Sequence, residues 1–295
     1  MKYQDFIENI KNYISNQLDG GQKVVIHSVT KNNGIIYDGL FIVDPILNVS
    51  PTIYLNPYYH RYLSGVSLED IYEDILNTYR TNLPKQDFDV SVFTDFSKAK
   101  TRIVMKLINR KRNEALLQDI PFIPYMDLAI VFVCTVTEFL NEYATILIHK
   151  QHLQFWNIGE EELYQIAMNN TPKLLPYLFE NMETILKNIT NQRFPWFEKI
   201  QMYVLTNQLK IHGACCLVYP GLLETLSEQL DSDLVIIPSS IHEVLIIPEK
   251  AARNEYSFAE FEDMIREVND TQLTDDEILG DHAYLYKRDS GILEF

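Results

Sequence analysis

Leu234-Val235-Ile236-Ile237-Pro238-Ser239-Ser240-Ile241-His242-Glu243-Val244-Leu245-Ile246-Ile247 places two apolar runs on either side of six residues that carry hydroxyls, an imidazole and a carboxylate. Short runs dominated by Val and Ile read as strands. Six residues are too few for the crossover that parallel neighbours need, so the pair is an antiparallel hairpin with a polar loop. The same pattern occurs upstream, where Lys23 to Val29 and Ile35 to Val43 flank Lys31-Asn32-Asn33-Gly34. Its Asn-Gly step accepts positive φ and closes a second hairpin. Further strands are expected near Thr52 to Leu55, Ile103 to Ile108, Met126 to Val136, Ala144 to His149, Met202 to Leu205 and Cys215 to Val218.

Helices are interleaved with these strands. Tyr3, Phe6, Ile7, Ile10, Tyr13, Ile14 and Leu18 recur at helical spacing until Asp19-Gly20-Gly21. Ser67 and Asp70 form a capping pair ahead of a stripe through Leu68, Ile71, Tyr72, Ile75, Leu76 and Tyr79. Helical patterns follow at Glu160 to Asn169, at Pro172 to Ile189 with Thr171-Pro172 as its start, and at Gly221 to Leu230. Pro176 requires that the second of these be kinked or start later. The last helix opens on Ser257 and Glu260 and turns Phe258, Phe261, Ile265 and Val268 inward. Strands neither alternate regularly with helices nor dominate, which makes the class α+β: mixed, largely antiparallel sheets packed with amphipathic helices. The expected division is an N-terminal region, 1–155, and a C-terminal region, 156–295, with Arg193-Phe194-Pro195-Trp196 resembling a linker.

Composition limits function. Apolar residues make up 46% and charged residues 22%, enough to bury a core, and the net charge of −16 excludes a generally basic, nucleic-acid-coating protein. Gly34 and Gly39 have phosphate-loop spacing, but Leu40-Phe41 stands where a Lys and a hydroxyl residue must be. The first twenty residues lack the uninterrupted apolar run of a leader, and Leu128 to Val136 is about half of a membrane span. Cys134, Cys215 and Cys216 form neither a disulfide framework nor a zinc knuckle. A cytoplasmic protein without cofactor or metal and without a membrane is expected.

Two regions hold the chemistry. In the polar loop, Ser239 or Ser240 with His242, helped by Glu243 or Asp127, supplies the residue types of a hydrolase, but on a strand Glu243 points away from Ser240 and His242. The plainer reading is a loop whose Ser, His and Glu satisfy backbone groups. His149 and His152, near Glu160, Glu161 and Glu162, lack a third ligand fixed by spacing and read as polar residues at a strand end. Between Lys98 and Arg112 lie seven bases and no acid; Lys98, Lys100, Arg102, Lys106, Arg110 and Arg112 fall on one face of a strand, with Ala99, Ile103, Met105 and Leu107 on the other. That face is the candidate for binding an anionic ligand. Residues 224–295 hold 18 acids and 5 bases, so pairing within the chain is the simpler explanation. Tyr54, Tyr58, Tyr59 and Tyr62 are expected to straddle a core edge.

Val204-Leu205-Thr206-Asn207, Gly213-Ala214, Tyr125-Met126-Asp127-Leu128-Ala129 and above all Pro238-Ser239-Ser240-Ile241-His242-Glu243-Val244 resemble an uncharacterised family of gut Clostridia proteins, domain-of-unknown-function family 5688. The resemblance implies a bacterial, cytoplasmic protein, carried as accessory or mobile-element cargo, and assigns no residue a role. The reading is therefore a non-enzymatic binding or regulatory protein with a protein partner, in which nucleic acid is limited to a local contact through 98–112. The alternatives are a hydrolase-like enzyme using the Pro238 to Glu243 loop and an acidic DNA mimic that blocks a DNA-binding enzyme.

Overall fold

The computed structural model describes residues 1–295 apart from Asp19, 84–88, 137–143, 191–200, Ser239 and 253–257; at 189–190, 258–259, 261, 264, 268 and 272 only the backbone is described. The chain divides into two compact units. The first comprises Met1–Lys31 and Ile35–Val92 with Val136 and Ala144; the second comprises Asn32–Gly34, Phe93–Thr135 and Thr145–Phe295.

In the first unit, α1 (Tyr3–Gln17) precedes the hairpin β1 (Lys23–Thr30) and β2 (Ile36–Val43), which pair antiparallel from Lys23 opposite Val43 to Thr30 opposite Ile36. Asn33 and Gly34 at the turn have φ of 60° and 70°, the left-handed conformation expected of the Asn-Gly step. The strand β3 (Ile53–Tyr54) adds to β2, and Gly39 is required there because a Cβ would stand 2.9 Å from Thr52 Cγ2. Two helices follow, α2 (Leu55–Leu63) and α3 (Leu68–Thr81). Ser67 caps α3 by accepting from the Asp70 N–H at 3.1 Å. Phe6, Ile10, Ile14, Leu40, Ile42, Leu55, Ile71 and Ile75 are fully buried in one core. Tyr58, Tyr59 and Tyr62 pack at its edge, with the Tyr59 ring 5.2 Å from that of Phe6.

After the one-turn helices α4 (Ser91–Thr94) and α5 (Phe96–Ala99), the second unit builds two sheets. In one, the central strand β6 (Leu128–Val136) pairs antiparallel with β4 (Ile103–Asn109) and β5 (Phe122–Tyr125) and also pairs with β7 (Ala144–Leu147). All nine residues of β6 are buried. Their alternation sends Leu128, Ile130, Phe132 and Cys134 to the main core and Ala129 and Val131 to a second cluster with Leu117 of α6 (Glu114–Leu117). Four helices and two strands carry the chain onward: α7 (Lys150–Trp156), α8 (Glu160–Leu174), β8 (Tyr177–Asn181) and α9 (Met182–Thr190), then β9 (Tyr203–Asn207) and α10 (Leu222–Gln229).

The second sheet has the order β13-β12-β10-β11-β9-β8. Its centre is the hairpin β10 (Leu234–Ile237) and β11 (Val244–Pro248), antiparallel with Val235 opposite Ile247. One face of β10, Leu234 and Ile236, joins the main core; the other, Val235 and Ile237, packs with Ala252 of α11 (Glu249–Ala252) and Ile265 of α12 (Phe258–Gln272). Two short strands complete the edge, β12 (Tyr284–Lys287) and β13 (Ile292–Glu294). The class is α+β with antiparallel sheets, as the alternation of strand and helix signals implies.

Four expectations need correction. Thr171-Pro172 does not start a helix but lies inside α8. The buried Thr171 hydroxyl donates to the Ala167 carbonyl at 2.6 Å and accepts from the Met105 N–H at 2.9 Å, tying the helix to β4. The expected helix over Pro172 to Ile189 is instead the end of α8, the strand β8 and the later helix α9. Cys215 to Val218 belongs to a 3₁₀ helix over Gly213–Val218, because a short buried apolar run has no periodicity that separates strand from helix. The basic strand face is the fourth: β4 covers only 103–109, and the face that carries Lys106 also carries Val104 and Ile108, both buried. Linker residues 193–196 and the cap Ser257 lie outside the described residues, as do the side chains of Phe258, Phe261 and Val268; Ile265 is buried as expected.

Candidate functional site

Pro238 to Glu243 joins β10 to β11, as the paired apolar runs require. Ser240 is 2% exposed, and its hydroxyl donates to Glu243 Oε1 at 2.9 Å and accepts from the His242 backbone N–H at 3.0 Å. The loop is tied down on three sides: the Ile241 N–H donates to the Glu277 carbonyl at 2.9 Å, the Ala214 N–H to the Ile241 carbonyl at 3.3 Å, and Thr206 Oγ1 to the His242 carbonyl at 2.7 Å. Gly213 lets these chains meet, since a Cβ there would stand 2.1 Å from Thr206 Oγ1 and 2.3 Å from the His242 oxygen.

The His242 imidazole is held by other groups. Its Nδ1 lies 3.3 Å from the His212 backbone N–H, which donates to it, and its Nε2 lies 3.8 Å from Glu277 Oε1. The His212 ring stacks on it with centroids 5.9 Å apart. Burial, with the nearby charge of Lys106 and the His242 ring, pushes His212 down to about 2, so it is neutral throughout the physiological range. Among the described residues no hydrogen bond joins the Ser240 hydroxyl to the His242 imidazole. Ser239 is outside the described residues.

Asp127 is engaged elsewhere. Met126 and Asp127 form the turn between β5 and β6, with Met126 at φ 55°. Asp127 accepts from the Tyr284 hydroxyl at 2.8 Å and lies 3.5 Å from His282 Nε2, whose other ring nitrogen is 3.2 Å from Asp281. Burial and the Asp127 carboxylate together raise the Tyr284 phenol far above its usual range.

The remaining sequence candidates are dispersed. Lys98 lies in α5, Lys100 at its C-cap, Arg102 before β4, Lys106 within it, and Arg110 and Arg112 in the turns beyond. Lys98, Lys100, Arg110 and Arg112 are exposed, and Arg102 and Lys106 are half-buried. The acids of 224–295 form described ion pairs with bases of that same segment: Asp231 with Lys250 and Arg288, Asp233 with Lys287, and Glu262 and Asp263 with Arg266. His149 and His152 cap α7, His152 Nδ1 accepting from the His149 N–H at 2.9 Å while His149 Nδ1 pairs with Asp119 at 2.6 Å. No metal-binding cluster of three His, Cys, Asp or Glu is present among the described residues.

Sequence reasoning missed an open cleft of about 700 Å³ in the second unit. Three chain turns frame it: Tyr125 and Met126 at the end of β5; the segment from Leu217 through Tyr219 and Gly221 to Glu224; and the hairpin from Tyr286 through Arg288-Asp289-Ser290-Gly291 to Leu293. Ile130 of β6 and Tyr164 of α8 complete it. Four tyrosines thus line one cavity. Burial, with Tyr286 and Tyr164 adding to it, pushes Tyr125 up to about 12, and its hydroxyl donates to the Leu217 carbonyl at 3.4 Å. Tyr219 donates to the Leu175 carbonyl at 2.7 Å. Burial and the carboxylates of Glu224 and Glu228 raise Tyr286. Burial also raises Tyr219 far above its usual range, so Tyr125, Tyr219 and Tyr286 stand as neutral hydroxyls on apolar rings. The one sequence signal for this wall is Tyr284-Leu285-Tyr286 alternating into Arg288-Asp289-Ser290-Gly291, a hairpin pattern whose turn residues frame the mouth.

Among the described residues no helix is long and apolar enough to cross a membrane. No curated protein and no solved structure matches the chain. The likeness carried by Pro238 to Val244 and the upstream segments extends nearly end to end: the model of the Family of unknown function (DUF5688) matches residues 3–288, and the chain belongs to that family.

Proposed function

We propose that this is a non-enzymatic binding protein whose ligand seat is the tyrosine-lined cleft. The supporting observation is the cleft itself: about 700 Å³ with Tyr125, Tyr164, Tyr219 and Tyr286 around it, a volume within the range of small-molecule sites. The described lining offers phenols, apolar side chains, two carboxylates, one guanidinium and one serine. The Pro238 to Glu243 loop then serves as a brace for the sheet that carries the cleft's hairpin wall.

The test is a thermal-shift screen of chemically diverse small molecules against the wild-type protein and a Val218→Trp variant, which adds bulk to the cavity lining. A ligand at a hundred times its Kd stabilises by about 2.7 kcal/mol, a rise of roughly 4 °C for a chain of this size. Compounds that raise the wild-type melting temperature are expected to leave Val218→Trp unmoved. Ser290→Trp, in the exposed hairpin turn, gives the same readout if Val218→Trp folds poorly. Hits that shift wild type and both variants equally, or the absence of any hit, overturn the assignment.

A further inference from the structure

The charges around the cleft are unequal. Arg288 is its one base, and the guanidinium Nη1 is paired with Asp231, which does not line the cavity; the Lys250 ammonium beside it and Arg288 together hold the Asp231 carboxyl below its usual range. The Arg288 backbone N–H is fixed on Asp233 at 3.0 Å. The Glu224 and Asp289 carboxylates accept no hydrogen bond and form no ion pair among the described residues, the one hydrogen bond to Glu224 from a side chain being that of the Ser227 hydroxyl to its backbone carbonyl. The cavity therefore presents two unengaged carboxylates and one guanidinium already spoken for.

We propose, building on the binding assignment above, that the cleft takes a small organic cation, an amine or guanidinium carried on an aromatic or apolar body. Charge complementarity and the rings argue for this occupant together. Tyr125, Tyr164, Tyr219 and Tyr286 line the cleft, and an aromatic face attracts a cation through its negative quadrupole while packing against an apolar body. Glu224 and Asp289 supply the counter-charge at the mouth, and the pairing of Arg288 with Asp231, a carboxylate it shares with Lys250, weakens the competing attraction for an anion. Ile130, Leu223 and Leu293 give the body an apolar floor.

Phenethylamine, 2-phenylethanol and phenylacetate share a ring and differ in charge, so calorimetric titration of the full chain with each separates the contributions. Phenethylamine is expected to bind about tenfold more tightly than phenylacetate, with the alcohol between them, and more weakly as salt is raised. In Glu224→Gln/Asp289→Asn the preference should fall to less than about threefold, while the affinity for 2-phenylethanol stays unchanged. Three compounds that bind equally to wild type, or a preference for phenylacetate, overturn the cation assignment and leave the binding assignment standing. Failure of all three, with screen hits that Val218→Trp abolishes, does the same. Failure of all three together with an empty screen overturns the binding assignment itself.

Discussion

The Pro238 to Glu243 loop and the tyrosine cleft draw on one six-stranded sheet, the loop joining β10 to β11 and the cleft using the hairpin of β12 and β13. The loop is dense in Ser, His and Glu, and Ser240, His242 and Glu243 meet one another or the backbone: Ser240 holds Glu243 and the His242 N–H, and His242 receives the His212 N–H. The cleft is poorer in such residues, yet it keeps a cavity and two carboxylates without a described partner. Density of reactive residue types marks the first region in the sequence; unspent hydrogen-bonding and charge mark the second in three dimensions. A polar group whose partners are all within the fold contributes to stability, whereas one left facing a cavity is available to a ligand. Substitutions in the loop should therefore act on folding, and those in the cleft on binding.

The largest effect is expected at Gly213. In Gly213→Ala the new Cβ would stand 2.1 Å from Thr206 Oγ1 and 2.3 Å from the His242 oxygen, both of which are fixed by their mutual hydrogen bond. Neither can retreat without breaking the brace between β9 and the loop. A loss of about 4 kcal/mol or more follows, at the upper end of single substitutions, read as a shifted urea midpoint. A loss below about 1 kcal/mol would show that the loop is not rigid and would remove the contrast with the cleft.

How far this contrast could be read from the residues depends on the range of the forces involved. The hairpins over 23–43 and 234–248 were legible because strand propensity and turn chemistry are local, and Ser67 announced α3 for the same reason. Thr171-Pro172 misled because a hydroxyl before a proline is a good cap only where a helix begins; here a tertiary hydrogen bond to Met105 puts it near a helix end. The basic residues of 98–112 alternate with apolar ones, but Val104 and Ile108 share the parity of the bases, and burial of both faces of β4 decides against a solvent-facing basic strand. Tyr125, Tyr164, Tyr219 and Tyr286 lie far apart in the chain, so no spacing rule could collect them into one cavity.

Ser240→Ala should cost about 1 to 3 kcal/mol, the range for a buried group whose partners lose their hydrogen bond. The hydroxyl is 2% exposed, and its removal leaves the His242 N–H and a Glu243 oxygen without it. Chemical denaturation gives the loss, and titration with a cleft ligand should give an unchanged Kd. A variant of full stability that has lost an activity would reverse the roles of the two regions and make the loop the functional one.

Acid sensitivity offers a smaller effect with a defined sign. His212 is held neutral down to about 2, first by burial and then by Lys106 and His242, whereas the unfolded chain protonates it near 6.5. Below about pH 6.5 the unfolded state thus binds a proton that the folded state refuses, and stability falls as pH drops, by up to about 1.4 kcal/mol per pH unit from this group. His212→Asn keeps a residue that tolerates the left-handed φ of 53° and should flatten the difference between denaturation midpoints at pH 7 and pH 5.5. Equal pH slopes in the two proteins would mean that His212 is solvated and the loop more open than its contacts indicate.

Glu224→Gln and Asp289→Asn should change stability least, within about 0.5 kcal/mol each, as expected of exposed residues without fixed partners. The small value is itself informative. Replacing a carboxylate by its isosteric amide keeps shape and removes charge, so any larger loss would reveal a partner in the fold and take away the counter-charge assigned to a cation. Stabilisation would point the other way: Glu224 lies close enough to Tyr286 to raise its phenol, and Asp281, Asp231 and Asp233 belong to the same acidic segment, so neutralising one carboxylate relieves like-charge repulsion. A gain in stability paired with a loss of phenethylamine affinity is the signature of a site that holds unfavourable charge for the sake of its ligand. Thermal melts of the single variants with and without phenethylamine read both quantities in one experiment.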